Sequence, residues 1–317
     1  VVQYGAGVDF YRLDTGCFPD LVDVERRITD RTRAVLAVHY FGFPQRIRAL
    51  RALCDRRGLF LIEDCAHVLS GRGEGGVLGE FGDVSVFSCR KFLPVHDGGQ
   101  LVVNNPALPP LPRLSSPAGL LRLRIWKDLV ERLTDRVRAR GVPGGSGALR
   151  LFSRASRRLL ARGAGLSASL GVNTYSMDFD RVTLSLAMSQ PSRRILSRTD
   201  FPAVVETRRR HYRRLLAAAR VLDEVVPLFP DLPDGVCPWV FPMVARDRLG
   251  FHLALRARGI PATTWGGVIH PSLPLDQFPD AAFLYANLIL LPIHQGLTPR
   301  DIDTMVAVLR EELARAR

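Results

Sequence analysis

Two short apolar runs, "RAVLAVHYFG" (Arg33–Gly42) and "GLFLIEDCAH" (Gly58–His67), lack the alternation of a strand with one wet face. Runs of this kind suit strands covered on both sides. Between them Ile47, Leu50, Leu53 and Cys54 recur on one helical face, with Pro44 before and Gly58 after. Strand, helix and strand in this order predict a βαβ unit, and hence a parallel sheet. "GDVSVFS" (Gly82–Ser88) and "GGQLVVNN" (Gly98–Asn105) add two strands. They lie too close together for a crossover helix, so a locally mixed sheet is expected.

Further along, the Pro-rich "NNPALPPLPRLSSPAG" (Asn104–Gly119) interrupts regular structure. After it Ile125, Trp126, Leu129, Val130, Leu133 and Val137 line one side of an amphipathic, arginine-rich helix. Asp200 is placed to cap a long helix over 201–225. Beyond that, strand "CPWVFPMVA", helix "RLGFHLALRARG", strand "IPATTW", a Pro-rich loop and "LILLPIHQGL" alternate, and Thr298, Pro299 and Asp301 open a last helix. At 317 residues, the chain is long enough for two domains.

With 47% hydrophobic and 24% charged residues it reads as globular. No apolar run approaches the roughly 18–20 residues that span a bilayer. No signal peptide is read at its start, so a cytoplasmic protein is expected. Cys17, Cys54, Cys65, Cys89 and Cys237 are odd in number and contain no C-x-x-C pair, which suggests buried thiols and no metal site. The chain opens on Val-Val and its first methionine is Met177, as expected of a fragment.

The net charge of +13 is concentrated. Arg113 to Arg162 hold 13 Arg and Lys against Asp128, Glu131 and Asp135, a net of +10. Such a stretch is either a solvated helical face or a surface for anionic membrane, with nucleic acid the less favoured partner.

Chemistry concentrates at two strand ends. Asp64 closes "LFLIED" with His67 three residues on, and Ser88 closes "VSVFS" with Lys91 at the same spacing. Lys91 and Lys127 are the lysines of a chain that otherwise writes arginine, so Lys91 needs a reason beyond charge. An acid, an imidazole, a hydroxyl and a primary amine suit pyridoxal 5'-phosphate. The amine can form a Schiff base when burial and the neighbouring cation Arg90 favour its neutral form. A carboxylate such as Asp64 can hold the pyridinium proton, and the Ser88 hydroxyl can bind phosphate. Glu63, beside Asp64, is expected on the other face of its strand.

These segments resemble the DegT/DnrJ/EryC1/StrS family of sugar aminotransferases. The resemblance rests on "HYFGFP" (His39–Pro44), "IEDCAH" (Ile62–His67), "LGEFGDVSVFS" (Leu78–Ser88), Lys91 with "DGG" (Asp97–Gly99), and "LPIHQGLT" (Leu291–Thr298). It implies an α/β fold type I transferase: a large domain over 1–200 with a mostly parallel mixed sheet, and a smaller α/β domain over 201–317. It further implies that Lys91 binds pyridoxal 5'-phosphate covalently, Asp64 pairs with the pyridinium nitrogen, His67 packs on the ring and Ser88 contacts the phosphate. The implied reaction moves an amino group from an amino acid such as glutamate to a keto sugar, in a homodimer. The family's Gly-Ser/Thr phosphate turn has no counterpart before Val1. Alternatives are a lyase or dehydratase of the same fold, or an inactive basic fragment that binds membrane or nucleic acid. No role is assigned to His39, His270, His294 or Asn173.

The basic stretch yields a first prediction. Replacing residues 113–162 by a short linker should leave cofactor binding intact and weaken any salt-sensitive cosedimentation with anionic vesicles. Loss of the cofactor absorption band in a folded deletion variant would contradict it, and vesicle binding unchanged by the deletion would leave the stretch a solvated face.

Overall fold

The computed structural model describes residues 5–131 except 120, 124 and 128, and residues 184–315 except 247, 249, 266–268 and 271. Most of the basic stretch and Asn173 therefore lie outside the described residues. Residues 121–123, 125–127 and 129–131 are helical, with Ile125 and Leu129 buried and Val130 half-buried as the amphipathic pattern predicts, whereas Trp126, expected on the same side, is exposed.

After helix α1 (Leu21–Arg27), capped by the Asp20 carboxylate on the N–H groups of Val22 and Asp23, the expected βαβ unit forms. It consists of β1 (Ala34–Val38), α2 (Ile47–Arg57) and β2 (Phe60–Cys65). β1 and β2 run parallel, with Val38 opposite Asp64. Ile47, Leu50, Leu53 and Cys54 are all buried, packing with Val35, Ala37 and Leu61 of the strands. Gly58 closes α2 in the left-handed conformation, where a residue without Cβ is not strained. A short hairpin follows, β3 (Arg72–Gly73) with β4 (Gly76–Val77). β5 (Val84–Ser88) then pairs parallel to β2, and β6 (Gly99–Val103) completes a sheet of order β1-β2-β5-β6.

β1 is shorter than the apolar run that predicts it. From Tyr40 to Gly42 the chain makes one tight helical turn, with Phe41 at φ +58° and Gly42 at φ +94°. Burial of Phe41 and Phe43 in the core holds this turn, so the continued hydrophobicity serves packing rather than pairing.

The C-terminal half follows the expected alternation with adjusted bounds. α3 (Gln190–Ser197) precedes α4 (Phe201–Ala219), capped at Asp200 as expected. α4 ends six residues early because Val225 and Val226 are taken into β7 (Val225–Pro227). β8 (Val240–Ala245), α5 (Phe251–Ala257), β9 (Thr263–Thr264), α6 (Pro279–Asn287), β10 (Leu288–Pro292) and α7 (Pro299–Arg315) follow. α6 occupies part of the expected Pro-rich loop, with Pro279 in its first turn, where a missing N–H costs nothing. The second sheet has order β7-β8-β10-β9 and is antiparallel. At α7, Thr298 N–H and hydroxyl both reach Asp301 Oδ2 at 2.7 Å, and Asp301 N–H donates back to Thr298 Oγ1. This is the expected capping box, closed by Asp in place of Glu.

The chain divides into two compact units. One contains residues 1–87, 101–105 and 200–317; the other contains 88–100 and 106–199. In the first, Tyr212 and Leu215 of α4 and Met305 and Leu309 of α7 bury against the second sheet, and Phe41 and Phe43 join the same core.

Gly42 yields the second prediction. A Cβ there would lie 2.5 Å from the Cys237 carbonyl oxygen and 2.8 Å from that of His67, both backbone atoms, at a φ that disfavours side chains. Gly42→Ala should cost more than about 2 kcal/mol in denaturant unfolding. A loss under about 0.5 kcal/mol would show that this turn is not tightly packed.

Candidate functional site

Period-two alternation splits β2 between two faces. Leu61, Glu63 and Cys65 are buried on one side, while Ile62 and Asp64 are half-buried on the other. Asp64 Oδ1 accepts the N–H of Ala66 at 2.9 Å, a turn that fixes the carboxylate at the strand's C-terminal end. In the parallel register Asp64 lies opposite Val86, so Ser88 closes the neighbouring strand two residues further on.

His67 is buried, and its ring stacks on Trp239 with centroids 4.1 Å apart and planes 13° apart. Its Nδ1 accepts the N–H of Phe41 at 3.3 Å. Trp239 is held in turn by Arg208 of α4, whose Nη1 donates to the Trp239 carbonyl at 2.8 Å and whose Nε donates to Gln295 Oε1 at 3.0 Å. Burial pulls the Arg208 guanidinium down to about 10. His67 is thus packed by aromatic neighbours in its own unit.

Ser88 and Lys91 belong to the second unit. Ser88 is half-buried, and the single-turn helix Cys89–Lys91 follows it. Lys91 and Arg90 are exposed, so the described residues do not supply the burial expected around the amine. The "DGG" turn beyond is anchored within this unit. Asp97 accepts the Ser189 N–H at 3.0 Å and its hydroxyl at 2.8 Å, just before α3. Gly98, at φ +118°, leaves room for Met188.

A buried network around Glu63 is the feature that sequence reasoning missed. Glu63 faces away from Asp64, as expected, and is fully buried. Its Oε2 accepts from Gly79 N–H at 3.0 Å, and its Oε1 accepts from Phe81 N–H at 2.7 Å and Gly82 N–H at 2.5 Å. His39 Nε2 lies 2.9 Å from Oε2, while His39 Nδ1 faces the Gln45 N–H at 3.2 Å. Nδ1 must therefore accept, which leaves the hydrogen on Nε2 for Glu63. The backbone N–H of His39 also donates to the Asp64 carbonyl. Burial pushes the Glu63 carboxyl up, but the bonds from His39, Gly82 and Gly79 outweigh it and hold the group below its ordinary value.

His39, Glu63 and Cys65 also bring potential metal ligands within 4.8 Å of one another. The acceptor lone pairs of His39 and Glu63 are already committed, however, and burial together with the charges of Glu63 and Asp64 keeps the Cys65 thiol protonated. The cluster is a hydrogen-bonded brace. The signal that could have found it is "H-x-x-G" followed by "ED" and a Gly-rich turn, although nothing local to those residues says which N–H groups converge.

The fold is that of fold type I aminotransferases. The aminotransferase TlmJ from Streptoalloteichus hindustanus superposes with TM-score 0.62 at 22% identity, covering 100% of this chain and 75% of that one. PseC of Helicobacter pylori, an aminotransferase involved in pseudaminic acid biosynthesis, superposes with TM-score 0.64 at 16% identity, covering 99% and 76%.

Residues 1–133 match the DegT/DnrJ/EryC1/StrS aminotransferase family. GDP-perosamine synthase of Vibrio cholerae is 40% identical over 149 residues, which cover 45% of this chain and 41% of the relative. The dTDP-4-dehydro-2,3,6-trideoxy-D-glucose 4-aminotransferase of Saccharopolyspora spinosa is 40% identical over 92 residues, covering 28% and 24%. The chain thus spans less than half the length of these relatives.

The Glu63 network sets a pH dependence. Because its folded pKa is lowered, Glu63 contributes stability that is present above the unfolded carboxyl value near 4.3 and is lost as pH falls through the folded pKa. Glu63→Gln turns an NH₂ toward N–H donors and should cost roughly 3 kcal/mol near neutral pH, with a flatter acid limb in stability measured against pH. An unchanged acid limb in the variant would contradict this.

Proposed function

We propose that the protein is a pyridoxal 5'-phosphate-dependent aminotransferase that moves an amino group from an amino acid, glutamate the first candidate, to a keto sugar carried on a nucleotide. The setting is cell-surface polysaccharide or secondary-metabolite biosynthesis. The observation that carries the reading is the parallel register of β2 and β5, which ends Asp64 and Ser88 on adjacent strands, with Lys91 on the turn that follows. The family match over residues 1–133 and the activities of the similar enzymes support it.

The donor set fits the cofactor. Asp64 Oδ1 is occupied by a backbone N–H, and among the described residues no bond is found at its Oδ2, which leaves that oxygen for a pyridinium N–H. Ser88 offers a hydroxyl to a phosphate, and Lys91 offers a primary amine. When bound, pyridoxal 5'-phosphate supplies the electron sink for transamination. In this reading Asp64 holds the proton on the ring nitrogen and Ser88 orients the phosphate. His67, fixed by Trp239, limits where the ring lies. Lys91 Nζ would hold the cofactor and, as a free amine, would serve as the base that takes the α-proton of the amino donor and returns it on the product side.

The proposed enzyme is a cytoplasmic homodimer, with its domains divided between residues 200 and 201, just after the α4 cap Asp200. Among the described residues no helix is long and apolar enough to cross a membrane.

Two substitutions test the reading. Lys91→Arg keeps the charge but cannot form the covalent link, and should abolish transamination by several orders of magnitude in a folded protein. Asp64→Asn should keep the link and slow proton transfer, since the amide cannot hold the ring nitrogen protonated. A Lys91→Arg protein that aminates a keto sugar at the wild-type rate would overturn the proposal.

A further inference from the structure

The segment "LPIHQGLT" (Leu291–Thr298) takes no part in the donor set of Asp64, Ser88 and Lys91. Its Gln295 nevertheless joins a hydrogen-bonded circuit that ends at His67. Gln295 Oε1 accepts from Arg208 Nε at 3.0 Å, and Arg208 Nη1 donates to the carbonyls of Trp239 at 2.8 Å and Pro238 at 3.5 Å. The Trp239 N–H donates in turn to the Phe41 carbonyl at 2.8 Å. Phe41 N–H then donates to His67 Nδ1 at 3.3 Å, and the Trp239 ring closes the circuit by stacking on the imidazole at 4.1 Å. All these residues belong to the unit formed by residues 1–87, 101–105 and 200–317.

Each link removes a freedom of the imidazole. The bond from Phe41 distinguishes Nδ1 from Nε2 and fixes which way the ring is flipped. Trp239, tilted 13° from the imidazole, fixes its plane, and Trp265 stands edge-on to it at 5.4 Å and 82°. The plane therefore depends on Trp239 staying in place. Both backbone groups of Trp239 are used to keep it there, the N–H toward Phe41 and the carbonyl toward Arg208.

For stability alone Arg208 is a costly choice. It is 2% exposed, and its bonds to Trp239, Pro238 and Gln295 go to neutral oxygens rather than to a carboxylate. An apolar side chain of similar length would fill the space without taking a cation out of water. It could not aim, however. The planar guanidinium donates in two directions at once and so ties the Trp239 carbonyl to the turn that carries Gln295.

We infer that Arg208, braced by Gln295, is a positioning residue for His67: through Trp239 it sets the plane of the imidazole, and thereby the surface on which the pyridine ring of pyridoxal 5'-phosphate packs. The part that concerns the cofactor rests on the aminotransferase reading.

The test is histidine-selective NMR on the whole chain, with and without pyridoxal 5'-phosphate, the His67 signals being assigned by their loss in His67→Gln. In the cofactor-free wild type the His67 ring protons should lie upfield, shielded by the Trp239 ring. Arg208→Met keeps much of the stem but none of its donors, and should move them toward the position of an unstacked histidine. Gln295→Leu should move them in the same direction, and serves if Arg208→Met does not fold. Gln295→Glu keeps an acceptor for Arg208 Nε and should keep the wild-type signals. Tyr212→Phe, on the same helix, removes a buried bond to the Phe229 carbonyl and should lower stability without moving them. When pyridoxal 5'-phosphate is titrated in, its dissociation constant should rise about tenfold in the two shifted variants, the upper end of what one stacked ring pair contributes.

Unchanged His67 signals in folded Arg208→Met and Gln295→Leu would overturn the proposal. So would an equal displacement in Tyr212→Phe, the mark of a generally loosened core, or wild-type cofactor affinity in a variant whose His67 signals have moved. A wild type that takes up no pyridoxal 5'-phosphate would sink the aminotransferase reading, and the cofactor part of the proposal with it. The cofactor-free spectra would still decide whether Arg208 positions His67.

Discussion

The Glu63 carboxylate sits without solvent exposure between β2 and the turn at residues 79–82, its oxygens taken by backbone N–H groups and by His39. A buried carboxylate is tolerated only when such partners replace its water, and the arrangement therefore admits very few alternative positions for the strands and turn that supply them. His39 extends the constraint to β1, since its backbone N–H meets the Asp64 carbonyl while its ring meets Glu63. Period-two geometry does the rest. With Glu63 pinned to the buried face, Asp64 must point to the other face at the strand end, where its Oδ1 is fixed by Ala66.

A second constraint works on the C-terminal half. Arg208 and Arg209 of α4 are buried, and their guanidinium groups bind main-chain carbonyls of the segment from Pro233 to Trp239. That segment carries Trp239 onto the ring of His67, so a helix beginning at residue 201 sets the position of a side chain near the end of β2. The cost of burying these cations is met by directed hydrogen bonds rather than by the core around them.

Much of this was legible in the sequence, because local rules agreed with the fold. Ile47, Leu50, Leu53 and Cys54 announced the buried face of α2, Gly58 its end, and Asp200, Thr298 and Asp301 two helix starts. The unreadable parts depended on long-range convergence. Glu63 draws its partners from residues 16 to 24 positions away, and no local pattern specifies them. The turn at Phe41 and Gly42 is stabilised by contacts to His67 and Cys237, so its apolar residues read as more strand. α6 was hidden behind prolines, one of which opens it. Of the site, the residue types and strand-end positions could be read, whereas the aromatic packing of His67 and the exposure of Lys91 could not.

The central claim is that Lys91 is the amine that binds the cofactor, and the chain's composition makes it directly testable, since Lys127 is the other lysine. The protein is saturated with pyridoxal phosphate, reduced with borohydride and digested, and the pyridoxyl group is located by peptide mass spectrometry. The account predicts modification at Lys91, with Lys127 and the terminal amine unmodified. Modification centred on Lys127, or spread evenly over the available amines, would contradict it.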